Sequence, residues 1–220
     1  MTTTRVYLVR HGATQLTAED RFAGSTDVLL SDDGRDQARR LGARLASEEI
    51  AAFYASPMSR TLETAQLVAE PHRLPVSPVD GFREISHGRW EEKTRAEVER
   101  EFATEYARWE HDPFTFAPAG GETGLQVTAR ALPALLQLVE RHEGTRIMIV
   151  SHKATIRLLL SSILGFDPRK YRDRLDQSPA ALNVLDFKDL AHARLTLFND
   201  TSHYSNDPEI PTGRLSKVWK

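Results

Sequence analysis

The 220-residue chain contains no cysteine. Disulfide bonds, thiolate metal ligands and cysteine nucleophiles are therefore excluded. Long apolar runs are also missing, and no stretch approaches the ~18 apolar residues that a membrane-spanning helix needs. The first apolar run, at residues 6–9, is too short for the core of a signal peptide. We therefore predict a cytoplasmic protein with no membrane partner.

Neither sign of charge is in large excess. The chain has 29 Lys and Arg against 31 Asp and Glu, which gives a formal net charge of -2. Proteins that bind nucleic acid through its phosphates usually carry a marked positive charge. We therefore predict no nucleic-acid partner, and any site for an anion has to come from a local arrangement of side chains.

Short apolar segments alternate with amphipathic ones along the chain. Strands are predicted at 5–9, 53–55, 75–79 and 147–150, with a late hairpin at 181–187 and 193–198. Helices are predicted after Ser31 and at about 56–70, 92–109, 122–141 and 153–164. This alternation predicts an α/β fold, a three-layer α/β/α sandwich with helices on both faces of a central, mostly parallel sheet. We expect about six strands, one of them an antiparallel edge strand.

Local signals add detail to three of the helices. Ser56 and Pro57 are typical of the N-cap and first position of a helix. Pro133 is expected to disturb the helix at 122–141, because its ring cannot fit a regular helix interior. The helix at 92–109 carries an apolar stripe that predicts core packing, formed by Val98, Phe102, Tyr106 and Trp109.

The chain is predicted to form one domain over residues 1–204. The charged helix at 92–109 and the Pro- and Gly-rich loop after it belong to a helical lid insertion at about 87–121, which we expect to roof the site. Residues 205–220 are polar and are predicted to form a tail.

Reactive side chains follow three of the predicted strands. Arg10 and His11 end the first strand, Arg60 follows the second, and His152 ends the strand at 147–150. Because the carboxyl ends of parallel strands meet at one edge of a sheet, we expect these side chains to converge. Guanidinium groups form forks suited to phosphate oxygens, and a neutral imidazole can attack phosphorus. Glu84, in the loop after the strand at 75–79, is a candidate acid.

The same residue types could in principle hold a metal ion, since two histidines and one carboxylate can form a facial triad. Two arginines aimed at the same point would repel a cation and attract an anion. We therefore predict an anion site with no metal and no other cofactor.

The motifs around these residues occur in a specific order: Arg10-His11-Gly12-Ala13-Thr14, Ser56-Pro57 with Arg60, Arg83-Glu84-Ile85, Gly120-Gly121-Glu122, Val150-Ser151-His152 and the run at 198–203. Together they resemble the histidine phosphatase superfamily, which has the phosphoglycerate-mutase-like fold. The resemblance covers roughly residues 5–200.

The resemblance implies a phosphatase that acts through a phosphohistidine. In such an enzyme His11 attacks phosphorus. Arg10, Arg60 and His152 would hold the phosphate group. Glu84 would protonate the leaving oxygen and then deprotonate the attacking water.

Further positions are candidates for contacts with the substrate: Thr14, Gln15, Thr17, Ala23, Gly24, His87 and Lys153. The chain departs from the usual family pattern at Thr17, Ala23 and Lys153, where relatives often carry Asn, a hydroxyl residue and Gly. The stretch at 84–90 is similar to the metal-independent phosphoserine phosphatases of this superfamily. In those enzymes a histidine at the place of His87 helps to hold the substrate.

The implied substrate is a small phosphorylated metabolite, with phosphoserine preferred over a phosphoglycerate derivative or a sugar phosphate. A phosphoglycerate mutase and a non-catalytic phospholigand-binding module remain alternatives. Mutases of this family carry a longer insertion after the acid, and members that lose catalysis usually lose the nucleophile or the acid. Relatives often dimerise, and the last strands could offer an edge for a homodimer.

Overall fold

The computed structural model of the protein describes residues 2–18 and 21–205. Its strands are β1 (Thr4–Arg10), β2 (Ala52–Ala55), β3 (Val76–Pro78), β4 (Arg146–Ser151), β5 (Leu182–Asp189) and β6 (His192–Asp200). They form one six-stranded sheet in the order β3-β2-β4-β1-β5-β6. Each strand overlaps one that the sequence predicts.

The sheet is mostly parallel, as predicted. Strands β1 to β4 run parallel to one another, β5 is antiparallel to β1, and β6 is antiparallel to β5. The strand that runs against the others is therefore β5, one place in from the edge, and β6 completes the predicted hairpin outside it. Arg10 lies opposite Ser151, and Ala55 lies opposite Val150, so β1, β2 and β4 end at the same level.

Helices cover both faces of the sheet and confirm the three-layer sandwich. The helices are α1 (Gln15–Ala18), α2 (Asp32–Leu45), α3 (Ser59–Ala69), α4 (Arg95–Glu101), α5 (Ala103–His111), α6 (Gly124–Arg141), α7 (Lys153–Leu164) and α8 (Tyr171–Arg174). Successive side chains of a strand point to opposite faces. Tyr7 and Val9 of β1 pack in a core with α2 and α3, whereas Val6 and Leu8 pack with α6 and α7.

Helix α3 begins later than the sequence predicts, and Ser56 is not its N-cap. Met58 occupies that position and makes no side-chain cap hydrogen bond. Ser56 is fully buried, and its Oγ lies 2.8 Å from Nε2 of His152. The hydroxyl of Ser56 therefore bonds to His152 at the edge of the sheet where the strands end, and it does not cap α3.

The helix predicted at 92–109 is divided into α4 and α5. The division falls at Phe102, whose φ of -130° and ψ of 42° interrupt the helix. This bend lets the apolar stripe close on itself in a small core of its own, which contains Phe22, Trp90, Val98, Tyr106 and Trp109 with Phe102 and Phe116 against it. The predicted core packing of the stripe is thus confirmed, but the prediction of a single helix at 92–109 is wrong.

Helix α6 runs without a break through Pro133, contrary to the predicted disturbance. Ala131 and Leu135 on its inner face are fully buried against the sheet, and Val127 is fully buried in a separate cluster with Ile85 and Leu158. This packing holds the helix together despite the hydrogen bond that proline cannot donate.

The domain boundaries and the lid at about 87–121 stay predictions. Of the tail predicted at 205–220, only Ser205 belongs to the described residues. Among the residues that the structure describes, no helix is both long and apolar enough to cross a membrane.

Candidate active site

The strand ends bring the predicted side chains to one edge of the sheet. The backbone N–H of His11 donates to the carbonyl of Ser151 at 3.0 Å, and the carbonyl of His11 accepts from the N–H of Ala180 at 3.0 Å. The imidazole centroids of His11 and His152 lie 5.3 Å apart. The ends of β1 and β4 therefore bring His11 and His152 together, as expected for parallel strands that end at one edge of the sheet.

The hydrogen bond of His11 fixes its tautomer. Nδ1 lies 2.7 Å from the carbonyl oxygen of Gly12. Because that oxygen can only accept, Nδ1 carries the proton and Nε2 keeps its lone pair. Burial and the positive charges of Arg10 and Arg60 lower the pKa of His11 well below 6.5. His11 is thus a neutral imidazole with a nucleophilic Nε2.

Two buried guanidinium groups flank this imidazole and rest on backbone carbonyls. Nη1 of Arg10 donates to the carbonyl of Gln177 at 2.6 Å. Nη1 and Nη2 of Arg60 donate to the carbonyls of Thr26 and Gly24 at 2.8 and 3.0 Å. Burial lowers the pKa of Arg10 to about 10 and lowers that of Arg60. Within the described chain, no carboxylate lies within ion-pair distance of either guanidinium.

Three nitrogens around His11 are buried without a hydrogen-bond partner in the part of the chain described: Nε of Arg10, Nε of Arg60 and Nδ1 of His152. Nε2 of His152 lies 2.8 Å from Oγ of Ser56. Burial and the charges of Arg60, His11 and Arg10 lower the pKa of His152 well below 6.5. Two unsatisfied guanidinium N–H groups and an unpaired imidazole nitrogen, next to positive charges that form no ion pair, are suited to an anion that brings several acceptor oxygens.

Glu84 lies over the first turn of α7. Its Oε1 accepts from the N–H of Ile85 at 2.9 Å and from the N–H and hydroxyl of Thr155 at 3.2 Å each. Its Oε2 accepts from the N–H of Ala154 at 3.2 Å. These bonds satisfy helix N–H groups that have no partner within the helix. They also fix the carboxyl group directly after His152, the residue that precedes α7.

Arg130 and Glu122 hold the loop that carries Glu84, and sequence reasoning did not identify Arg130. The guanidinium of Arg130 donates to the carbonyls of Gly81, Arg83 and Glu84 at 2.8 to 3.1 Å. It also forms an ion pair with Glu122 at 2.9 Å. Only the motif Gly120-Gly121-Glu122 signalled this support in the sequence.

Glu91 ties together the two loops that border the site, and it was also missed. Its carboxylate accepts from the N–H and hydroxyl of Ser25, the hydroxyls of Thr26 and Ser86, and the N–H of His87 at 2.8 to 3.1 Å. Burial alone would raise the pKa of Glu91, but these hydrogen bonds outweigh burial and lower it. Glu91 thereby holds the loop whose carbonyls anchor Arg60.

Gly24 belongs to that loop and has a φ of +49°. A Cβ atom at this position would lie 2.4 Å from Oε1 of Glu91. A side chain here would therefore both strain the backbone and displace Glu91, while the predicted contact of Gly24 with the substrate stays a prediction.

The other predicted contact residues lie around this centre. Thr14 is buried, Gln15 is exposed at the start of α1, and the side chain of Thr17 lies outside the described part of the chain. Ala23 is half-buried, and its carbonyl accepts from the N–H of Thr26 at 3.0 Å. Lys153 forms an ion pair with Asp176, with 3.1 Å between Nζ and Oδ1.

His87 lies against the aromatic cluster of the insertion. Its ring centroid is 4.8 Å from that of Phe22 and 5.8 Å from that of Trp109. Burial and the charge of Arg95 lower the pKa of His87 to about 4, so the ring is neutral. Its Nδ1 is buried and has no hydrogen-bond partner within residues 2–18 and 21–205.

The titratable groups do not form a metal centre in the described residues. No group of three or more His, Asp or Glu side chains there is arranged to hold a metal ion. The described geometry instead offers two cations that act on two neutral imidazoles, and one carboxyl group that acts on both cations. This set can bind a tetrahedral dianion, attack its central atom and exchange a proton with its oxygens.

Comparisons with known proteins agree with this geometry. The family model of the histidine phosphatase superfamily (branch 1) matches residues 6–201. Phosphoserine phosphatase 1 of Hydrogenobacter thermophilus is 32% identical over 167 residues, which cover 76% of this chain and 79% of that protein. The structure of Bacillus stearothermophilus YhfR superposes with a TM-score of 0.85 at 32% identity, covering 91% of this chain and 98% of that one. A structure of the mycobacterial glucosyl-3-phosphoglycerate phosphatase Rv2419c has a TM-score of 0.81 at 26% identity, covering 89% and 98% of the respective chains.

The role of Glu91 generates a testable prediction. Glu91→Gln replaces one acceptor oxygen by an N–H donor, so the loop at 23–26 loosens and the carbonyl anchors of Arg60 shift. We expect the Kd of inorganic phosphate, measured by titration calorimetry, to rise roughly tenfold, which corresponds to about 1.4 kcal/mol. Gly24→Ala should also raise the Kd of inorganic phosphate.

Glu97→Gln is the matched control, because Glu97 also accepts hydrogen bonds from backbone and hydroxyl groups but caps α4 and pairs with Arg21, and it forms no hydrogen bond with the described residues 23–26. It should leave the Kd unchanged. A folded Glu91→Gln variant that binds phosphate as tightly as the unaltered protein would contradict the positioning role.

Proposed function

Because the chain belongs to the histidine phosphatase superfamily and is a phosphatase, we propose that it hydrolyses small phosphomonoesters through a phosphohistidine on Nε2 of His11. The observation that carries this proposal is the neutral imidazole of His11 next to the unpaired buried nitrogens of Arg10, Arg60 and His152. The two guanidinium charges match the roughly two negative charges of a phosphomonoester.

In the first step, Nε2 of His11 attacks phosphorus as the bond to the ester oxygen breaks. Arg10, Arg60 and His152 donate hydrogen bonds to the phosphoryl oxygens and stabilise the charge that spreads over them. The protonated carboxyl group of Glu84 gives its proton to the leaving oxygen. The alcohol departs, and the phosphoryl group stays on His11.

In the second step, the carboxylate of Glu84 removes a proton from a water molecule. The water oxygen attacks phosphorus as the phosphorus–nitrogen bond breaks, so His11 regains its lone pair. Glu84 recovers its proton, and inorganic phosphate leaves. Water supplies both the oxygen and the proton, so the cycle consumes no other reactant.

For the substrate we propose phosphoserine first, with a phosphoglycerate derivative or a sugar phosphate as the next candidates. The similarity to a protein named phosphoserine phosphatase 1 supports this order. His87 supports it as well, since its buried Nδ1 has no hydrogen-bond partner among the described residues and could bind a polar group of such a substrate beside Phe22 and Trp109.

A panel of phosphorylated metabolites tests the proposal, with His11→Ala as the inactive reference. We expect phosphate release from phosphoserine and from p-nitrophenyl phosphate, both before and after dialysis against a metal chelator. Isomerisation of 3-phosphoglycerate without phosphate release would identify a mutase. Binding of phosphate esters without turnover of any of them would identify a non-catalytic binding module.

The acid role of Glu84 predicts a dependence on the leaving group. Phosphoserine leaves as an alkoxide that needs a proton, whereas p-nitrophenolate is stable without one. We expect Glu84→Gln to lower kcat/KM for phosphoserine by roughly 10² to 10³, and much less for p-nitrophenyl phosphate. Thr128→Val, which removes a hydroxyl that bonds only within α6, is a control. Equal losses for both substrates in Glu84→Gln would rule out the acid role.

The electrostatics of His11 predict its titration. The pKa of His11 is lowered well below 6.5, so the imidazole stays neutral and nucleophilic as the pH falls through 6.5. Nitrogen NMR of labelled histidine, with the resonance assigned through His11→Asn, should show the Nδ1–H tautomer below this pH. Arg60→Met removes one of the like charges and should raise the pKa of His11. A midpoint near 6.5 for His11 in the unaltered protein would contradict the prediction.

A further inference from the structure

A second group of cations lies beside the phosphate site, on the first two turns of α7. Lys153 and Arg157 are four residues apart and therefore share one face of the helix. Both contact the same oxygen of Asp176, with 3.1 Å from Nζ of Lys153 and 2.9 Å from Nη2 of Arg157. The N–H of Gln177 donates to this oxygen as well, at 2.8 Å.

We call Lys153, Arg157 and Asp176 the α7 triad. Residues that hold the α7 triad in place also hold residues of the phosphate site. Gln177, which donates to Asp176, also accepts the hydrogen bond of Arg10 through its carbonyl at 2.6 Å. Lys153 follows His152 directly, and the N–H groups of the next two residues bind Glu84. The α7 triad therefore lies next to both Arg10 and the carboxyl group of Glu84, which donates the proton to the leaving oxygen in the proposed mechanism.

The α7 triad is positively charged and incompletely satisfied. Two cations face one carboxylate, which leaves one positive charge. Only 12% of the Arg157 side chain is exposed, and its Nε is buried without a hydrogen-bond partner in the described residues. Burial, together with the charges of Arg157 and Arg10, lowers the pKa of Lys153 to about 8. Asp176 thus offsets the mutual repulsion of these cations only in part.

The α7 triad is also accessible. The side chain of Lys153 is 41% exposed, so its ammonium group can reach a ligand without a rearrangement of the core. Arg157 lies about 6 Å further along the helix axis, at 1.5 Å per residue. A small substrate that has its ester oxygen at Glu84 therefore extends over this face of α7.

We propose that Lys153 and Arg157 bind a carboxylate of the substrate, so that the preferred substrates are small phosphorylated carboxylic acids. One net positive charge matches a monoanion, whereas a second phosphate would bring about two negative charges next to Asp176. The inference rests on the phosphatase function proposed above. It selects phosphoserine and phosphoglycerates over sugar phosphates, which have no carboxylate.

The test compares phosphoserine with phosphoethanolamine, which keeps the phosphate and the amine but lacks the carboxylate. We expect the unaltered enzyme to prefer phosphoserine in kcat/KM. In Lys153→Met this preference should fall about tenfold, mainly through KM, as expected for one charge-assisted hydrogen bond. Lys153→Arg keeps the positive charge and should retain most of the preference.

Lys188→Met is the matched control, because Lys188 is exposed on β5 and takes no part in the α7 triad. In Lys188→Met the ratio of kcat/KM for phosphoserine to that for phosphoethanolamine should equal the ratio in the unaltered enzyme. Asp176→Asn separates binding from a structural role: it removes the competing carboxylate, so the preference for phosphoserine should rise. If the pair of Lys153 and Asp176 were only structural, both variants would reduce activity on the two substrates alike.

Three results would overturn the inference: no preference for phosphoserine in the unaltered enzyme, an unchanged preference in a folded Lys153→Met variant, or a lower preference in Asp176→Asn. Failure of the proposed function itself looks different. In that case the unaltered protein hydrolyses neither these esters nor p-nitrophenyl phosphate.

Discussion

The guanidinium groups of Arg10 and Arg60 are buried against backbone carbonyls, and the rest of the functional edge depends on this arrangement. An unpaired buried ion costs several kcal/mol, and carbonyl dipoles offset that cost only in part. In the described chain no carboxylate lies within ion-pair distance of either guanidinium group, and Glu84 offsets their charges only from further away. In the proposed mechanism a phosphate dianion supplies the counterion that the two guanidinium groups lack at ion-pair distance, and this attraction favours its binding.

Burial and the same two charges together determine the protonation state of the imidazoles. Because burial and like charges both disfavour protonation, His11 and His152 remain neutral at a site that is otherwise positive. A protonated His11 would add to phosphate binding but would lose the lone pair that attacks. The arrangement thus separates the two tasks, with charge supplied by arginine and nucleophilicity by histidine.

Much of this edge could be predicted from the hydrophobic pattern of the strands and from the rule that ligands bind at the carboxyl ends of parallel strands. Buried strands are recognisable as short apolar runs, and their carboxyl ends meet, which brings Arg10, His11 and His152 together. Glu91 could not be found in this way, since its role depends on five groups from two loops converging on one carboxylate. Ser56 was wrongly predicted to be an N-cap for a related reason. A hydroxyl just before a helix can either cap that helix or form a buried hydrogen bond elsewhere, and the sequence does not distinguish the two.

Helix α7 explains why the chemistry and the selectivity of the site can vary separately. Its first turn holds Glu84 through backbone N–H groups, and its apolar face is buried in the core of the sheet, so the distance from acid to phosphate is set by rigid elements. The side chains of Lys153 and Arg157 project from that same turn and the next, and exchanging them leaves those backbone bonds intact. The aromatic cluster of the insertion forms a separate small core that does not share residues with the sheet cores. If Lys153 and Arg157 bind the substrate as proposed, substrate preference can change on the face of α7 and in the predicted insertion while His11 and Glu84 keep their positions.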